Sequence, residues 1–134
     1  MNMAPGPEDI IVDVRATAVN YVDLVMISGT YQFKPDPPFV PGKGPAGIVK
    51  AVGDKVTGFA PGDRVLAMAE QGGYAELTPI HQNNCYRLPD SLSFADAASM
   101  ALVYDTAWFS LVERGRFQAG ETVLVLGASG GVGL

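Results

Sequence analysis

The residues best suited to chemistry stand at the end of the sequence, in the glycine-rich run Gly127-Ala-Ser-Gly-Gly-Val-Gly133. This run directly follows the apolar segment Thr122–Leu126. A strand, a glycine-rich turn and a helix in this order are typical of a dinucleotide site, in which free backbone N–H groups bind a pyrophosphate. The residues expected to contact a cofactor here are Ser129, Gly130, Gly131, Val132 and Gly133. Ala128 replaces the first glycine of the common fingerprint, and an ordinary flexible connection between strand and helix remains the alternative.

A metal site is not expected from this sequence. A catalytic zinc needs three protein ligands, whereas the chain has one histidine, His81, and one cysteine, Cys85. We interpret them as a loop histidine and a half-buried thiol. A single cysteine also excludes an internal disulfide and favours a reducing compartment.

Short β-like runs separated by glycine and proline occupy the first two thirds of the chain. The first alternates apolar and polar residues from Ile10 to Ala18, which predicts a half-buried strand. The Pro61-Gly62-Asp63 turn connects two further candidates. The remaining predicted strands cover residues 47–53, 64–68, 74–80 and 85–88. This spacing predicts a small, mostly antiparallel barrel or sandwich over residues 1 to about 92.

The pattern changes from strands to a helix at Ser93, which has the spacing of a weak capping box with Asp96. Gly115 is expected to end the helix in a left-handed conformation. One helical face carries Tyr104, Ala107, Trp108, Leu111 and Val112. After a turn at Ala119-Gly120, residues 122–126 predict a strand that is apolar on both faces, as in a parallel sheet covered by helices. The fold class is therefore α+β.

Composition excludes several classes of partner. The net charge is −5 and no basic cluster is present, so nucleic-acid binding is not expected. No apolar run approaches the length needed to cross a bilayer, and the first residues lack the features of a signal peptide. We therefore expect a cytoplasmic protein.

Several collinear motifs resemble one enzyme family. They are Val19-Asn-Tyr-Val-Asp23, Ser28-Gly-Thr-Tyr31, Pro38-Phe-Val-Pro-Gly42, Ala46-Gly-Ile-Val-Lys-Ala-Val-Gly53, Val56-Thr-Gly-Phe59, Gly62-Asp-Arg-Val65, Gly72-Gly-Tyr-Ala-Glu76 and Ala128-Ser-Gly-Gly-Val-Gly133. Together they resemble the zinc-free quinone oxidoreductase (zeta-crystallin-like) branch of the medium-chain dehydrogenase/reductase superfamily. The resemblance implies an N-terminal fragment, with a GroES-like, mostly antiparallel β-barrel domain over residues 1–95. Residues 96–134 would be connecting helices and the first strand of a truncated Rossmann domain.

The same resemblance implies an activity and further site residues. The parent enzyme would transfer hydride from NADPH, with NADH not excluded, to a quinone or an α,β-unsaturated carbonyl, and the fragment alone would be inactive. Asn20 and Thr106 would lie near the nicotinamide, although Asn20 also suits a turn cap and Thr106 a helix cap. Tyr31 would stand where related enoyl reductases have a proton-donating tyrosine; the alternative is an aromatic ring covering a loop. Asp23 and Tyr74 are interpreted as structural.

Gly44 and the apolar residues of 100–126 give two further expectations. Gly44 departs from the acidic residue that zinc-free relatives often have, which favours the alternative of a non-catalytic GroES-like binding or structural module. The apolar residues of 100–126 would be left uncovered in this chain and invite self-pairing. We therefore expect a homodimer or higher oligomer, or disorder of residues 116–134.

Overall fold

The structure, a computed structural model, describes residues 3–134. Its regular elements in this range are β1 (Asp9–Ala16), α1 (Tyr21–Ile27), β2 (Ala46–Val52), β3 (Arg64–Ala67), β4 (Leu77–His81), β5 (Cys85–Arg87) and α2 (Phe94–Trp108). A 3₁₀ turn at Gln82–Asn84 precedes β5, and a π-helical segment at Phe109–Arg114 extends α2. None of these helices has the length and apolar character required to cross a bilayer.

The five strands form one sheet in the order β4-β1-β2-β3-β5, and every pairing is antiparallel. This arrangement confirms the mostly antiparallel β domain expected from the sequence. Barrel closure does not occur, because β4 and β5 remain the two edges of an open sheet within residues 3–134.

Strand β1 lies at the interior of the sheet between β2 and β4. Ile10 and Val12 pack in the main apolar cluster, which also contains Val49 and Val65. Ile11 is only 1% exposed. The predicted half-buried pattern with one apolar face is therefore wrong for the first half of β1, where both faces are covered.

Helix α2 begins where the sequence predicts. Ser93 is its N-cap, and the Ser93 hydroxyl oxygen accepts a hydrogen bond of 3.0 Å from the Asp96 amide. The first turns of α2 pack on the sheet through Ala97 and Ala98 against Ala46 of β2. Small residues at these three positions let the helix approach the strand closely.

The end of α2 differs from the prediction. Gly115 has a φ of −73°, so it does not adopt the left-handed conformation, and Arg116 has the positive φ of 50° instead. The predicted turn at residues 119–120 is present, with Gly120 at a φ of 95°.

The strand predicted at Thr122–Leu126 is not formed. These residues have no regular structure, and Leu124 and Leu126 are 81% and 85% exposed. A parallel strand needs hydrogen-bonding neighbours and covered faces, and the described residues supply neither. The helix expected near Gly131 is also absent, and turns occupy residues 127–133.

Candidate functional site

The connection from β1 to α1 is held by a buried carboxylate. Asp23 is 2% exposed, and its Oδ2 accepts hydrogen bonds from the Asn20 amide at 2.9 Å and from the Tyr74 hydroxyl at 2.8 Å. The other oxygen, Oδ1, has no hydrogen-bond partner in the described part of the chain. Burial, together with the adjacent Asp23 carboxylate, raises the pKa of Tyr74 to about 12. The structural role assigned to Asp23 and Tyr74 is consistent with this geometry.

Tyr74 also connects this corner to the Pro41–Gly42 turn. The Gly73 amide donates to the Gly42 carbonyl at 2.9 Å, and the Tyr74 amide donates to the Pro41 carbonyl at 3.0 Å. Gly42 has a φ of +100°, and a Cβ there would lie 2.7 Å from the Tyr74 nitrogen. Glycine is therefore required at position 42 by both conformation and space.

Four predicted cofactor-contact residues line one cleft of about 480 Å³: Asn20, Thr106, Gly131 and Val132. Asn20 comes from the N-cap position of α1, and its side-chain amide donates to the Ala18 carbonyl at 3.4 Å. The glycine-rich segment reaches the same cleft, although more than 80 positions separate Asn20 from Thr106 and the segment in the sequence. Ser129, Gly130 and Gly133 do not line this cleft.

Thr106 lies inside α2 and does not cap it. Its hydroxyl donates a 2.7 Å hydrogen bond to the carbonyl of Leu102 in the preceding turn. A threonine hydroxyl within a helix commonly makes this bond. The helix-cap interpretation of Thr106 is therefore wrong, and its hydroxyl oxygen keeps acceptor capacity toward the cleft.

The glycine-rich segment folds as two successive turns. The Gly130 amide donates to the Gly127 carbonyl at 3.1 Å, and the Gly133 amide donates to the Gly130 carbonyl at 2.9 Å. Gly131 packs against α2, because a Cβ at this position would lie 2.9 Å from Val103 Cγ1. The segment thus approaches α2 closely at Gly131, and no helix follows it within the described residues.

Tyr31 lies outside that cleft and covers a buried lysine. The Lys43 ammonium is 4.9 Å from the centroid of the Tyr31 ring, within the range of a cation–π interaction. Lys43 is 5% exposed and donates a hydrogen bond to the carboxylate of Glu70. This placement agrees with the interpretation of Tyr31 as an aromatic ring covering a loop. Lys43 was not predicted from the sequence as a site residue, because its only local signal is a cation directly after a Pro-Gly turn.

Gly44 has a structural reason for lacking a side chain. Its φ is +64°, and a Cβ would lie 2.8 Å from Cβ of Ala101 on α2. An acidic residue at position 44 would therefore clash with α2 in this arrangement. The departure at Gly44 reflects close packing between the loop and the helix.

His81 and Cys85 do not form part of a metal cluster. Within residues 3–134 no three His, Cys, Asp or Glu side chains come together in a way that would hold a metal ion. His81 lies 3.5 Å from the Glu8 carboxylate, and its Nδ1 accepts from the Asn83 amide at 3.2 Å. Cys85 is buried in the main apolar cluster, and this burial raises the pKa of its thiol to about 11.

The apolar face of α2 forms an open groove of about 900 Å³. All five residues predicted to share a helical face line it: Tyr104, Ala107, Trp108, Leu111 and Val112. Val132 and Leu134 from the terminal segment complete one side. Trp108 is 63% exposed, so this groove presents a large apolar surface to solvent.

The fold and the cleft agree with one protein family. The sequence model of the alcohol dehydrogenase GroES-like domain matches residues 6–90. The chain belongs to this family. The match covers the five-stranded sheet and the buried Asp23 corner, so the GroES-like domain accounts for the part of the chain that precedes α2.

The similarity to quinone oxidoreductases extends beyond the GroES-like domain over nearly the whole chain. The chain is 45% identical over 132 residues to a quinone oxidoreductase of Rattus norvegicus, and the match covers 98% of this chain and 40% of that protein. A crystal structure of a probable oxidoreductase from Mycobacterium abscessus is 43% identical with a TM-score of 0.90, and the match covers 99% of this chain and 43% of the other. A Thermus thermophilus quinone oxidoreductase, solved also in complex with NADPH, is 30% identical with a TM-score of 0.84, covering 98% and 40%.

These comparisons confirm the resemblance to the quinone oxidoreductase branch of the medium-chain superfamily. The chain spans about 40% of the length of the curated relatives named here.

Proposed function

We propose that this chain carries the substrate-side domain and the beginning of the nucleotide-binding domain of an NADPH-dependent reductase of quinones or α,β-unsaturated carbonyls. The observation that carries the proposal is the shared cleft of Asn20, Thr106, Gly131 and Val132. The division we propose places the substrate-side domain at residues 1–95 and the start of the nucleotide-binding domain at 96–134. The named Thermus relative, which binds NADPH, supports the choice of cofactor.

Asn20 and Thr106 of the cleft fit the nicotinamide end of a dinucleotide, and the neighbouring glycine-rich residues outside the cleft fit its phosphates. Gly130 is open, since a Cβ there would meet only the Gly127 carbonyl oxygen at 3.6 Å. The backbones of Ser129, Gly130 and Gly133 are proposed to contact the linked phosphates, for which the Gly130 and Gly133 amides exchange their turn hydrogen bonds for bonds to the anion. The Asn20 amide and the Thr106 hydroxyl would hydrogen-bond the nicotinamide carboxamide. When bound, the reduced nicotinamide supplies a hydride, and the protein supplies orientation and polar contacts.

The proposed reaction is zinc-independent. The candidates for zinc ligands, His81 and Cys85, each have another role in the fold, one on a surface beside Glu8 and the other in the apolar core. Orientation of the acceptor and stabilisation of the charge that develops on its oxygen must then come from side chains and backbone groups. Tyr31 remains the proposed proton donor of the family pattern, and its position over Lys43 keeps it near a cation.

The test uses the complete gene product that carries these residues. We expect loss of NADPH absorbance with phenanthrenequinone or methyl vinyl ketone as acceptor. Thr106→Val should weaken NADPH binding about tenfold by removing one polar contact, while the matched surface variant Thr57→Val should bind as wild type. A folded protein that consumes no NADPH with either class of acceptor would refute the reductase assignment.

The chain of 134 residues alone is proposed to be inactive and to self-associate. Trp108 and its neighbours in the apolar groove are exposed over an area that proteins usually bury. We expect sedimentation velocity to show concentration-dependent association that Trp108→Glu weakens. A monomer at all concentrations, with the terminal segment well ordered, would contradict this expectation. A cytoplasmic location also stays a prediction.

The exposed groove also supports the second candidate function, a non-catalytic binding module. Under this alternative the complete gene product binds an apolar partner and neither binds NADPH nor depends on Thr106. The Thr106→Val measurement therefore separates the two functions, because only the reductase predicts a change in cofactor affinity.

A further inference from the structure

Lys43 is a buried cation whose counter-ion is largely in water. Lysine is rarely buried unless its charge is paired, and Lys43 is paired with Glu70 and covered by the ring of Tyr31. The Glu70 side chain, however, is 62% exposed. The carboxylate is hydrated once it leaves the ammonium, whereas the buried ammonium then needs another hydrogen-bond acceptor in its place.

The recess around Lys43 shares lining residues with both the Asn20–Thr106 cleft and the apolar groove. It has a volume of about 150 Å³ and includes Leu102 and Asp105 of α2 together with Met68. Leu102 also lines the Asn20–Thr106 cleft. Met68 and Asp105 also line the apolar groove. The Lys43 recess thus adjoins the cleft proposed for the nicotinamide through Leu102 and a groove suited to a flat apolar acceptor through Met68 and Asp105.

We propose that Lys43 is a catalytic residue that donates a hydrogen bond to the carbonyl oxygen of the acceptor, after that oxygen displaces the Glu70 carboxylate. This inference rests on the proposed reductase function and deepens it. The substrate class is a quinone or enone whose carbonyl oxygen enters the Lys43 recess while its apolar body occupies the groove.

The chemistry of this step balances for an enone. A hydride from the reduced nicotinamide forms a bond to the β-carbon. The alkene electron pair moves to form the C=C bond of an enolate, and the carbonyl π pair moves onto oxygen. The Lys43 ammonium stabilises that negative oxygen and keeps its own proton. Tyr31, the proposed proton donor, then protonates the α-carbon, which restores the carbonyl, and the phenolate regains a proton from water.

Burial strengthens the interaction between the Lys43 ammonium and the negative charge that develops on the acceptor oxygen. A fixed donor in a water-poor site stabilises developing charge much more than it would in water, and it needs no reorganisation during the reaction. Loss of one such donor typically lowers kcat by about 10²-fold to 10³-fold. Lys43→Met keeps the buried stem and removes the charge, so it isolates this contribution.

The experiment measures turnover and anion binding in the complete gene product. With methyl vinyl ketone as acceptor, Lys43→Met should lower kcat about 100-fold, with KM within about threefold of wild type. It should also weaken binding of para-nitrophenolate, which mimics the enolate oxygen, about tenfold or more. The matched control is Lys50→Met, an exposed lysine on β2, which should change neither. A folded Lys43→Met protein that keeps both properties within about threefold overturns the proposal.

Glu70→Gln provides a second arm, which decides the question if Lys43→Met does not fold. Removal of the competing carboxylate should tighten para-nitrophenolate binding by about tenfold, and unchanged or weaker binding overturns the proposal. The para-nitrophenolate binding measurement also separates the proposed role of Lys43 from the proposed reductase function. If wild type oxidises no NADPH, the reductase assignment fails, while para-nitrophenolate binding still decides whether Lys43 binds an oxyanion.

Discussion

Loss of the hydrogen bond between the Tyr74 hydroxyl and Asp23 should lower the free energy of unfolding of the chain. Tyr74→Phe removes only the donor that lies 2.8 Å from Oδ2 of Asp23. Asp23 is buried and its Oδ1 is already without a partner among the described residues. The variant therefore leaves a buried carboxylate with the Asn20 amide as its one remaining donor in that part of the chain.

The magnitude follows from the exposure of each partner. A hydrogen bond to a charged group contributes about 1.5–3 kcal/mol. Tyr74 is 40% exposed, so water can replace part of the lost interaction, and we expect the low end, about 1.5 kcal/mol. With a urea m-value of about 2 kcal/mol/M, the unfolding midpoint should fall by about 0.7 M.

Urea unfolding of the chain, followed by circular dichroism, tests this value against Tyr86→Phe, which removes a hydroxyl from a more exposed tyrosine on β5. The control should stay within about 0.5 kcal/mol of wild type. In an Asp23→Asn background the cost of Tyr74→Phe should fall by at least about 1 kcal/mol, since the charged acceptor is gone. Equal effects of the two tyrosine variants, or no coupling to Asp23, would refute the reasoning.

Three further predictions address the cap, the glycine turn and the thiol. Ser93→Ala should lower the free energy of unfolding by about 1 kcal/mol through loss of the N-cap, and a urea titration giving the same value for Ser91→Ala would contradict the cap assignment. Gly42→Ala should cost more than Gly58→Ala by at least about 1 kcal/mol, because both have positive φ but only the Cβ at 42 meets backbone; equal midpoints for the two would exclude the steric contribution. The thiol of Cys85 has a pKa raised from 9.0 to about 11, so the unfolded state loses its proton first as pH rises. This contribution to stability is complete below about pH 9 and should decline by about 2–3 kcal/mol as the pH approaches 11. Cys85→Ala should show a correspondingly smaller alkaline loss in urea titrations at several pH values, and parallel profiles for the two proteins would count against the burial argument.

The sequence predicted those elements whose ends are marked by contacts between residues close together in the chain. Ser93 and Asp96 marked the start of α2 correctly, because a side-chain cap is a contact between residues three apart. The same spacing exists between Asn20 and Asp23 at the start of α1, which the sequence analysis did not assign as a helix. Seven residues, Tyr21–Ile27, give too short a periodic pattern to separate a helix from a loop.

Features that depend on distant partners could not be read from the sequence. The apolar pattern of Thr122–Leu126 suits a strand in a parallel sheet, yet a strand forms only beside another strand. The burial of Lys43 likewise depends on Glu70, 27 positions away. A basic residue in a turn is ordinarily exposed, so no local rule assigns Lys43 to the interior.

Gly130 and Gly131 of the terminal segment have different surroundings, and the difference supports the proposed cofactor site. Gly131 is needed for packing, because its backbone lies against Val103 of α2 and a Cβ would meet that side chain at 2.9 Å. Gly130 has no such neighbour, since the closest atom to its Cβ position is the Gly127 oxygen at 3.6 Å. Packing therefore explains glycine at 131 but leaves glycine at 130 without a structural reason. A phosphate approaching the backbone at 130 supplies that reason, so the open glycine supports a nucleotide cradle more strongly than the packed one does.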